Sequence, residues 1–564
     1  MTRLADYLVE KISPSRLDPF GLGQLTWKYW RSMMRQPGAV MAQNISLATE
    51  QAGLLAYALK RSLGMPAEQV VAPAKADKRF KDPAWNERLL FDLIKQSYLL
   101  TSRYILNLAG AAELEPRQQR KLDFLTRQFV DALSPTNFAV TNPEVLRATI
   151  DSKGANLAKG MQNLARDLVA GRGRLRISMV DESKFEIGRN IATTPGKVVF
   201  ENELVQLIQY SPTTDTVYRT PLVIFPPWIN KFYILDLAPH NSFIRWAVSK
   251  GYTVFIVSWV NPGAALAHKT FEDYLNEGIF EALDAIEAAT GERVVNAIGY
   301  CIGGTLLACA LSQMASTGQK RIRSATFFTT QVDFSEAGDL MVFTDEQQLK
   351  SIERTMKKRG YLDASEMATT FNMLRANDLI WTFVVNNYLL GRSPAAFDLL
   401  FWNNDSTRMP VAMHTYYLRE MYLENRLAKP GGITLNGIPV DLGTIDIPIF
   451  LQSSKEDHIA PYPSVYKATQ LYSGPVTFML AGSGHIAGVI NPPEANKYYY
   501  YSNTSVPPGV EDWIASADFH EGSWWPYWHQ WLYRKSGRKV SARIPGDGRL
   551  PAIEDAPGRY VTMK

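Results

Sequence analysis

The sequence predicts an α/β protein, in which a mostly parallel sheet wrapped in helices is broken by a largely helical insertion and preceded by a mainly helical N-terminal domain. Three observations carry this expectation. Up to about residue 175, apolar residues recur at three- and four-residue spacings, the period of an amphipathic helix. From about residue 195, short apolar and β-branched runs alternate with helical stretches, the pattern of a parallel sheet covered on both faces. Between about 331 and 443 the alternation lapses into a segment rich in Trp, Phe, Tyr and Met, and then resumes.

The expected domains are 1–175 and 176–564, with the insertion inside the second. In the first, Leu89, Leu90, Leu93, Ile94, Ile105 and Leu108 mark one helix, and Leu122, Phe124, Leu125, Phe129 and Leu133 another. Ahead of them, the Pro-, Lys- and Asp-rich stretch between Val70 and Trp85 reads as a loop or linker. In the second domain, VVFENELVQLIQY (198–210) and VYRTPLVIFP (217–226) have the β-branched content and turn punctuation of strands. GYTVFIVSWV (251–260) is apolar throughout, as a strand buried on both faces would be. A helix from Phe271 to about Ala289, a strand at Arg293–Ile298, a helix through LLACALSQMA and a strand IRSATFFTT follow. After the insertion come strands IPIFLQS (447–453) and PVTFML (475–480), then a helix with the cluster GSWWPYWHQWL (522–532). Trp524, Trp525, Trp528 and Trp531 share one broad helix face, which is read as packing on the sheet. The segment Ser536–Lys564 reads as an extended surface tail.

Composition narrows the function classes. The chain of 564 residues is 46% hydrophobic and 20% charged, enough apolar material for a large core. Its net charge of +5 is too balanced for a nucleic-acid-binding chain. Cys301 and Cys309 are its two cysteines, which excludes a disulfide framework or a Cys-rich zinc module. No apolar run approaches the ~18 residues of a membrane span. The first residues lack the continuous apolar region of a signal peptide, so a soluble, cytoplasmic protein is expected.

The decisive stretch is Val294–Leu306, where an apolar strand runs into Gly299-Tyr300-Cys301-Ile302-Gly303 and then into a helix without insertion. This is the nucleophile elbow of α/β-hydrolases, with sulfur in place of the usual hydroxyl. Close packing of strand on helix leaves no space for side chains at Gly299, Gly303 and Gly304. The turn sets Cys301 at a helix N-terminus, which favours its thiolate, and aims the Ile302 N–H where an oxyanion would form. A second oxyanion donor is expected on the loop after strand LVIFP, near Trp228 to Asn230, with Ile229 the candidate.

Such an elbow predicts an acid and then a histidine downstream, each just past a strand. Asp457 follows IPIFLQSSKE and His485 follows PVTFMLAGSG, in that order. The long interval from Cys301 to Asp457 leaves room for an inserted cap. GSGHIAG (482–488) has the outline of a dinucleotide loop, but its GxGxxxG spacing is wrong; its glycines read as freeing the loop that carries His485. His458 is a less favoured base than His485, and Cys309 reads as a small buried hydrophobe. A cysteine nucleophile forms an acyl thioester, which keeps the acyl group transferable. That favours acyl transfer from an acyl-CoA and leaves hydrolysis open.

GYCIGGT, SSKEDHIAP, SGHIAGVINPP, PPWINKFYILDL, HEGSWWPYWHQWL and APGRYV together resemble polyhydroxyalkanoate synthases, most closely those of class I. The resemblance covers essentially the whole chain and is strongest from Pro226 to Lys564. It implies an α/β-hydrolase fold with a helical cap, and a reaction that polymerises (R)-3-hydroxyacyl-CoA into a polyester and releases CoA. Cys301 is then the nucleophile, His485 the base for the thiol, and Asp457 an aid to activating the monomer hydroxyl. It further implies CoA contacts at Arg375 and His458, no cofactor beyond the CoA carried by the substrate, and no metal. The implied partners are the growing polyester, the surface of a cytoplasmic granule and a second copy of the chain. One departure stands out: where class I enzymes tend to carry Trp ahead of the Tyr-rich cap helix, this chain reads Pro410-Val411-Ala412-Met413-His414.

Overall fold

The computed structural model describes residues 21–75 and 77–564. The chain divides into two compact units, Met1–Asp181 with Thr369–Ala396, and Glu182–Ala368 with Phe397–Lys564. Among the described residues no helix is long and apolar enough to cross a membrane.

The first unit is helical: α1 (Leu22–Arg35), α2 (Pro37–Ser62), α3 (Leu89–Gly110), α4 (Pro116–Ala132), α5 (Pro143–Asp151) and α6 (Ala155–Ala170). The two helices expected from the apolar spacing are α3 and α4. The most buried positions of α3 are nevertheless polar, because Asp92, Lys95 and Gln96 build a closed network. Lys95 Nζ donates to the Trp85 carbonyl at 2.9 Å and to Asn86 Oδ1 at 2.6 Å, and pairs with Asp92 at 3.0 Å. Asp92 also accepts from the Tyr57 hydroxyl of α2 and from Gln96 at 3.2 Å. The stretch read as a linker is packed rather than free. Phe80 and Trp85 are buried, and Arg79 reaches Asp131 of α4 at 3.1 Å.

Thr369–Ala396 was expected in the cap insertion, yet it packs with these helices. The reason lies in side chains of α6 that grip its backbone. Asn156 and Asn163 donate to the carbonyls of Leu389 (2.8 Å) and Asn387 (2.9 Å), and Tyr388 donates to Asp167 at 2.6 Å. Gly160 permits this approach, since a Cβ there would collide with the Tyr388 carbonyl.

The second unit is built on one sheet of eleven strands: β1 (Gly196–Glu201), β2 (Val205–Tyr210), β3 (Leu222–Phe225), β4 (Val254–Trp259), β5 (Val295–Tyr300), β6 (Ile322–Phe328), β7 (Ile449–Ser454), β8 (Val476–Ala481), β9 (Tyr499–Ser502), β10 (Asp518–Glu521) and β11 (Glu554–Asp555). Their spatial order is β10-β9-β8-β7-β6-β5-β3-β4-β2-β1-β11. The six strands from β8 to β4 run parallel, and those outside them are antiparallel. β4, β5 and β7 are buried along their whole length, which explains why they lack the apolar–polar alternation of strands with one face in water. The helices that bear on the site are α7 (Ile302–Ser316), α8 (Val411–Tyr417) and α9 (Trp525–Tyr533).

The indoles of Trp524, Trp525 and Trp528 are fully buried around Phe243, Trp246 and Phe328, so this face packs on the sheet. Trp528 Nε1 donates to Thr326 Oγ1 of β6 at 3.0 Å. The tail departs from the expected surface course. It adds β11 to the sheet edge beside β1, and Val561 is buried in the core. Gln206 directs this fold-back by accepting from the Tyr560 N–H at 3.0 Å, while the Tyr560 hydroxyl donates to the Asn202 carbonyl at 2.6 Å.

Removing one partner of a buried ion pair leaves an uncompensated charge, at a cost of about 3–5 kcal/mol. Asp92→Ala is therefore expected to lower the unfolding free energy by that amount, measured by denaturant titration.

Candidate active site

Cys301 stands between the last residue of β5 and the first of α7, with φ 52° and ψ −124°. A side chain in that region costs on the order of 1–3 kcal/mol and persists only where the surroundings over-determine it. Here they do. The Cys301 N–H donates to the Phe328 carbonyl at the end of β6 (2.9 Å), and its carbonyl accepts from Gly304 (2.9 Å) and Thr305 (3.1 Å). A Cβ on Gly299 would strike Gly304, one on Gly303 would strike the Phe225 carbonyl of β3, and one on Gly304 would strike Thr330. The glycines are needed for close approach, and the strain falls on the cysteine.

Asp457 lies just past β7 and His485 just past β8, at the carboxyl ends of the parallel strands. His485 Nδ1 donates to Asp457 Oδ2 at 2.7 Å, leaving Nε2 free for the neighbouring Cys301. The other Asp457 oxygen accepts from the N–H groups of Ile459 (2.8 Å) and Ala460 (2.9 Å), and its carboxylate is completely enclosed. Burial of His485 disfavours its charged form, but the charge and hydrogen bond of Asp457 and the neighbouring Cys301 outweigh it and push the imidazole up to about 10.

The loop bearing His485 is held, not freed. Its left-handed residue is Ser483, φ 76°, and not one of its glycines. Gly488 is required because a Cβ would collide with the Ser454 side chain at the end of β7. From the other side, Trp524 Nε1 donates to the Gly488 carbonyl (2.7 Å) and Trp525 Nε1 to the Val489 carbonyl (2.9 Å). These indole hooks were invisible in the sequence, where the Trp cluster signalled packing alone.

Over the partly exposed Cys301 lies a roof of aromatic rings. α8 runs into a π-helical turn, Leu418–Leu423, which sets residues five apart nearly in line. Tyr417 and Tyr422 thereby meet edge-to-face with ring centroids 5.6 Å apart, and Phe334 packs on Tyr422 at 4.9 Å. Burial, the other tyrosine and the nearby Cys301 raise Tyr417 well above the usual phenol range, and burial with Cys301 raises Tyr422. The sequence hinted at this roof only as a Tyr-rich helix. His414, at the departure from the class I pattern, is buried, and burial lowers its imidazole to about 4. Cys309 is enclosed within α7, and burial pushes its thiol up to about 12.

The remaining sequence candidates divide. The Ile302 N–H opens α7 and has no intrahelical acceptor by position. Ile229 lies on the loop leaving β3, against which the first turn of α7 packs through Gly303. His458 is half-buried on the loop of Asp457. Arg375 belongs to the helical unit, where Nε bonds Asp378 at 3.0 Å.

Because the folded His485 value lies above its ordinary 6.5, the imidazolium–carboxylate pair stabilises the fold fully below about pH 6.5, and that contribution is lost as pH rises through about 10. The gap in thermal midpoint between wild type and His485→Gln is expected to be widest near pH 6 and to close towards pH 10. Scanning fluorimetry across this range checks it, and a gap that widens with pH contradicts the charged pair.

Two family models match the chain. Residues 76–247 match the N-terminus of poly-beta-hydroxybutyrate polymerase (PhaC), and residues 221–492 match the alpha/beta hydrolase fold, in agreement with the sheet order and elbow. Among characterised relatives, the poly(3-hydroxyalkanoate) polymerase of Methylorubrum extorquens is 51% identical over 94% of this chain and 88% of its own length. The polymerase subunit of Rhizobium meliloti (strain 1021) is 51% identical over 95% of this chain and 87% of its own. That of Cupriavidus necator is 41% identical over 98% and 97%. Identity at this level along nearly the whole of both chains leaves one conclusion: the chain belongs to the poly(3-hydroxyalkanoate) polymerase family.

Proposed function

We propose that this enzyme polymerises (R)-3-hydroxyacyl-CoA into polyhydroxyalkanoate through acyl-thioester intermediates on Cys301. The observation that carries the reading is the hydrogen-bonded His485–Asp457 pair beside Cys301 at the strained elbow, set at the carboxyl ends of the sheet near a group of aromatic rings.

His485, held in place by Asp457, takes the proton of Cys301 through Nε2. The thiolate attacks the acyl-CoA carbonyl and the S–C bond forms. The oxyanion is met by the N–H groups of Ile302 and Ile229. As the intermediate collapses, the carbon–sulfur bond to CoA breaks and His485 returns its proton to the departing thiolate. For elongation, the 3-hydroxyl of another monomer gives its proton to His485 and attacks the acyl carbonyl on Cys301. An ester bond forms, Cys301 is released, and the lengthened chain reloads from its own CoA end. Asp457 assists hydroxyl activation through His485, because its enclosed carboxylate is spent on the imidazole and two backbone N–H groups. The roof of Tyr417, Tyr422 and Phe334 favours a bulky hydroxyacyl nucleophile over water.

The same reading takes the enzyme to be a cytoplasmic homodimer at the surface of its granule. It uses no cofactor beyond the CoA of the substrate, whose contacts would include His458 and Arg375.

Purified protein given (R)-3-hydroxybutyryl-CoA is expected to release CoA and deposit insoluble polyester. Cys301→Ala abolishes both, and Asp457→Asn slows CoA release by at least about 10²-fold. Thiol titration with analysis of the acyl product checks this. Free hydroxy acid as the sole product would replace the polymerase by a thioesterase or depolymerase.

A further inference from the structure

The loop leaving β3 is gripped, residue by residue, by a segment from the far end of the insertion. The Thr407 hydroxyl donates to the carbonyls of Trp228 and, at 2.7 Å, Ile229, and the Thr407 N–H donates to Ile229 at 3.3 Å. Asn230 forms a β-bridge with Ser406. The Lys231 carbonyl accepts from Trp402 Nε1 at 2.7 Å. At the end of this run stands a buried charge. Lys231 is 4% exposed, and its Nζ pairs with Asp405 at 2.9 Å and donates to the Met563 carbonyl at 2.9 Å. Asp405 is fixed in turn by the Tyr233 hydroxyl at 2.8 Å. The neighbouring Arg408 closes the junction, donating from Nε to the Pro262 carbonyl (2.8 Å) and from its guanidinium to the Lys564 carbonyl (3.2 Å).

A buried ion pair is a poor way to gain stability, since apolar residues of similar volume do as well. What it provides is direction: each bond fixes an angle as well as a distance. The loop so fixed holds Ile229, whose carbonyl is committed to Thr407 and whose N–H is the one the proposed reaction assigns to the oxyanion. We infer that Lys231 and Asp405 form a latch that positions the second oxyanion donor, joining the β3 loop, the 402–408 segment and the tail. Lys231 is a positioning residue, acting through Ile229. The inference rests on the reading of Cys301 as an acyl-accepting nucleophile.

The test compares two reactions of the same sulfur. Acylation of Cys301, read as CoA release from (R)-3-hydroxybutyryl-CoA and as the p-nitrophenolate burst from p-nitrophenyl butyrate, passes through an oxyanion. Alkylation of Cys301 by iodoacetamide, mapped by peptide mass, does not. Lys231→Met is expected to slow acylation about 10²-fold while alkylation stays within about twofold of wild type. Lys231→Arg, which can still bridge Asp405 and the Met563 carbonyl, recovers most of the rate. Thr407→Val removes the hydroxyl donor to the Trp228 and Ile229 carbonyls, leaving the backbone N–H and the charges in place, and reproduces the selective loss, which keeps the test open if Lys231→Met does not fold. Acylation and alkylation falling together would reduce the latch to a structural role and overturn the inference, as would unchanged acylation in both variants. If wild type gives the burst but no CoA release, the polymerase reading fails while the latch is still judged on the burst.

Discussion

The site depends on one forced backbone turn. The chain must leave β5 and enter α7 with no spacer, and it does so by holding Cys301, a residue with a side chain, in a conformation that favours glycine. The strain is confined by contacts a methyl group would abolish, at Gly299, Gly303 and Gly304. From this turn the rest follows. The thiol is lifted to the edge of the sheet, the first N–H groups of α7 converge beneath it, and β3 is drawn against the helix so that its exit loop lies alongside. Elements further off then have a fixed point to meet: the β8 loop with its histidine, and the roof of the insertion.

The electrostatics of the site are set by enclosure. A carboxylate with both oxygens bonded and no exposed surface has one outlet for its charge, the imidazole of His485. That holds the His485 imidazole well above its ordinary range. The π-helical turn at Leu418–Leu423 departs from regular helix geometry and sets Tyr417 edge-on to Tyr422, so aromatic rings gather near the same sulfur.

The sequence was most informative where structure is local. The elbow is legible because its glycines, strand and helix are contiguous, and Asp457 and His485 because each follows a recognisable apolar strand. β9 and β10 were missed, since YYYYS and DFHE carry no alternation to separate them from loop. The course of Ser536–Lys564 was missed because its partners, Gln206 and Asn202, lie in the first hairpin. Thr369–Ala396 was assigned to the insertion because nothing within it records the Asn156, Asn163 and Asp167 side chains that claim it. Glycines in the His485 loop suggested freedom, whereas Gly488 serves contact with Ser454. Hydrogen-bond partners hundreds of residues apart leave no periodic trace.

The two indole hooks on the His485 loop also set an order of events in the making of the protein. Domains generally fold as units, and the elbow with its cysteine emerges from the ribosome long before Trp524 and Trp525. Until those indoles arrive, the Gly488 carbonyl lacks its indole donor and the Val489 carbonyl keeps only the Asn491 N–H of its own loop. The seat of the His485 loop is thus completed only when the chain has been made as far as its last helix.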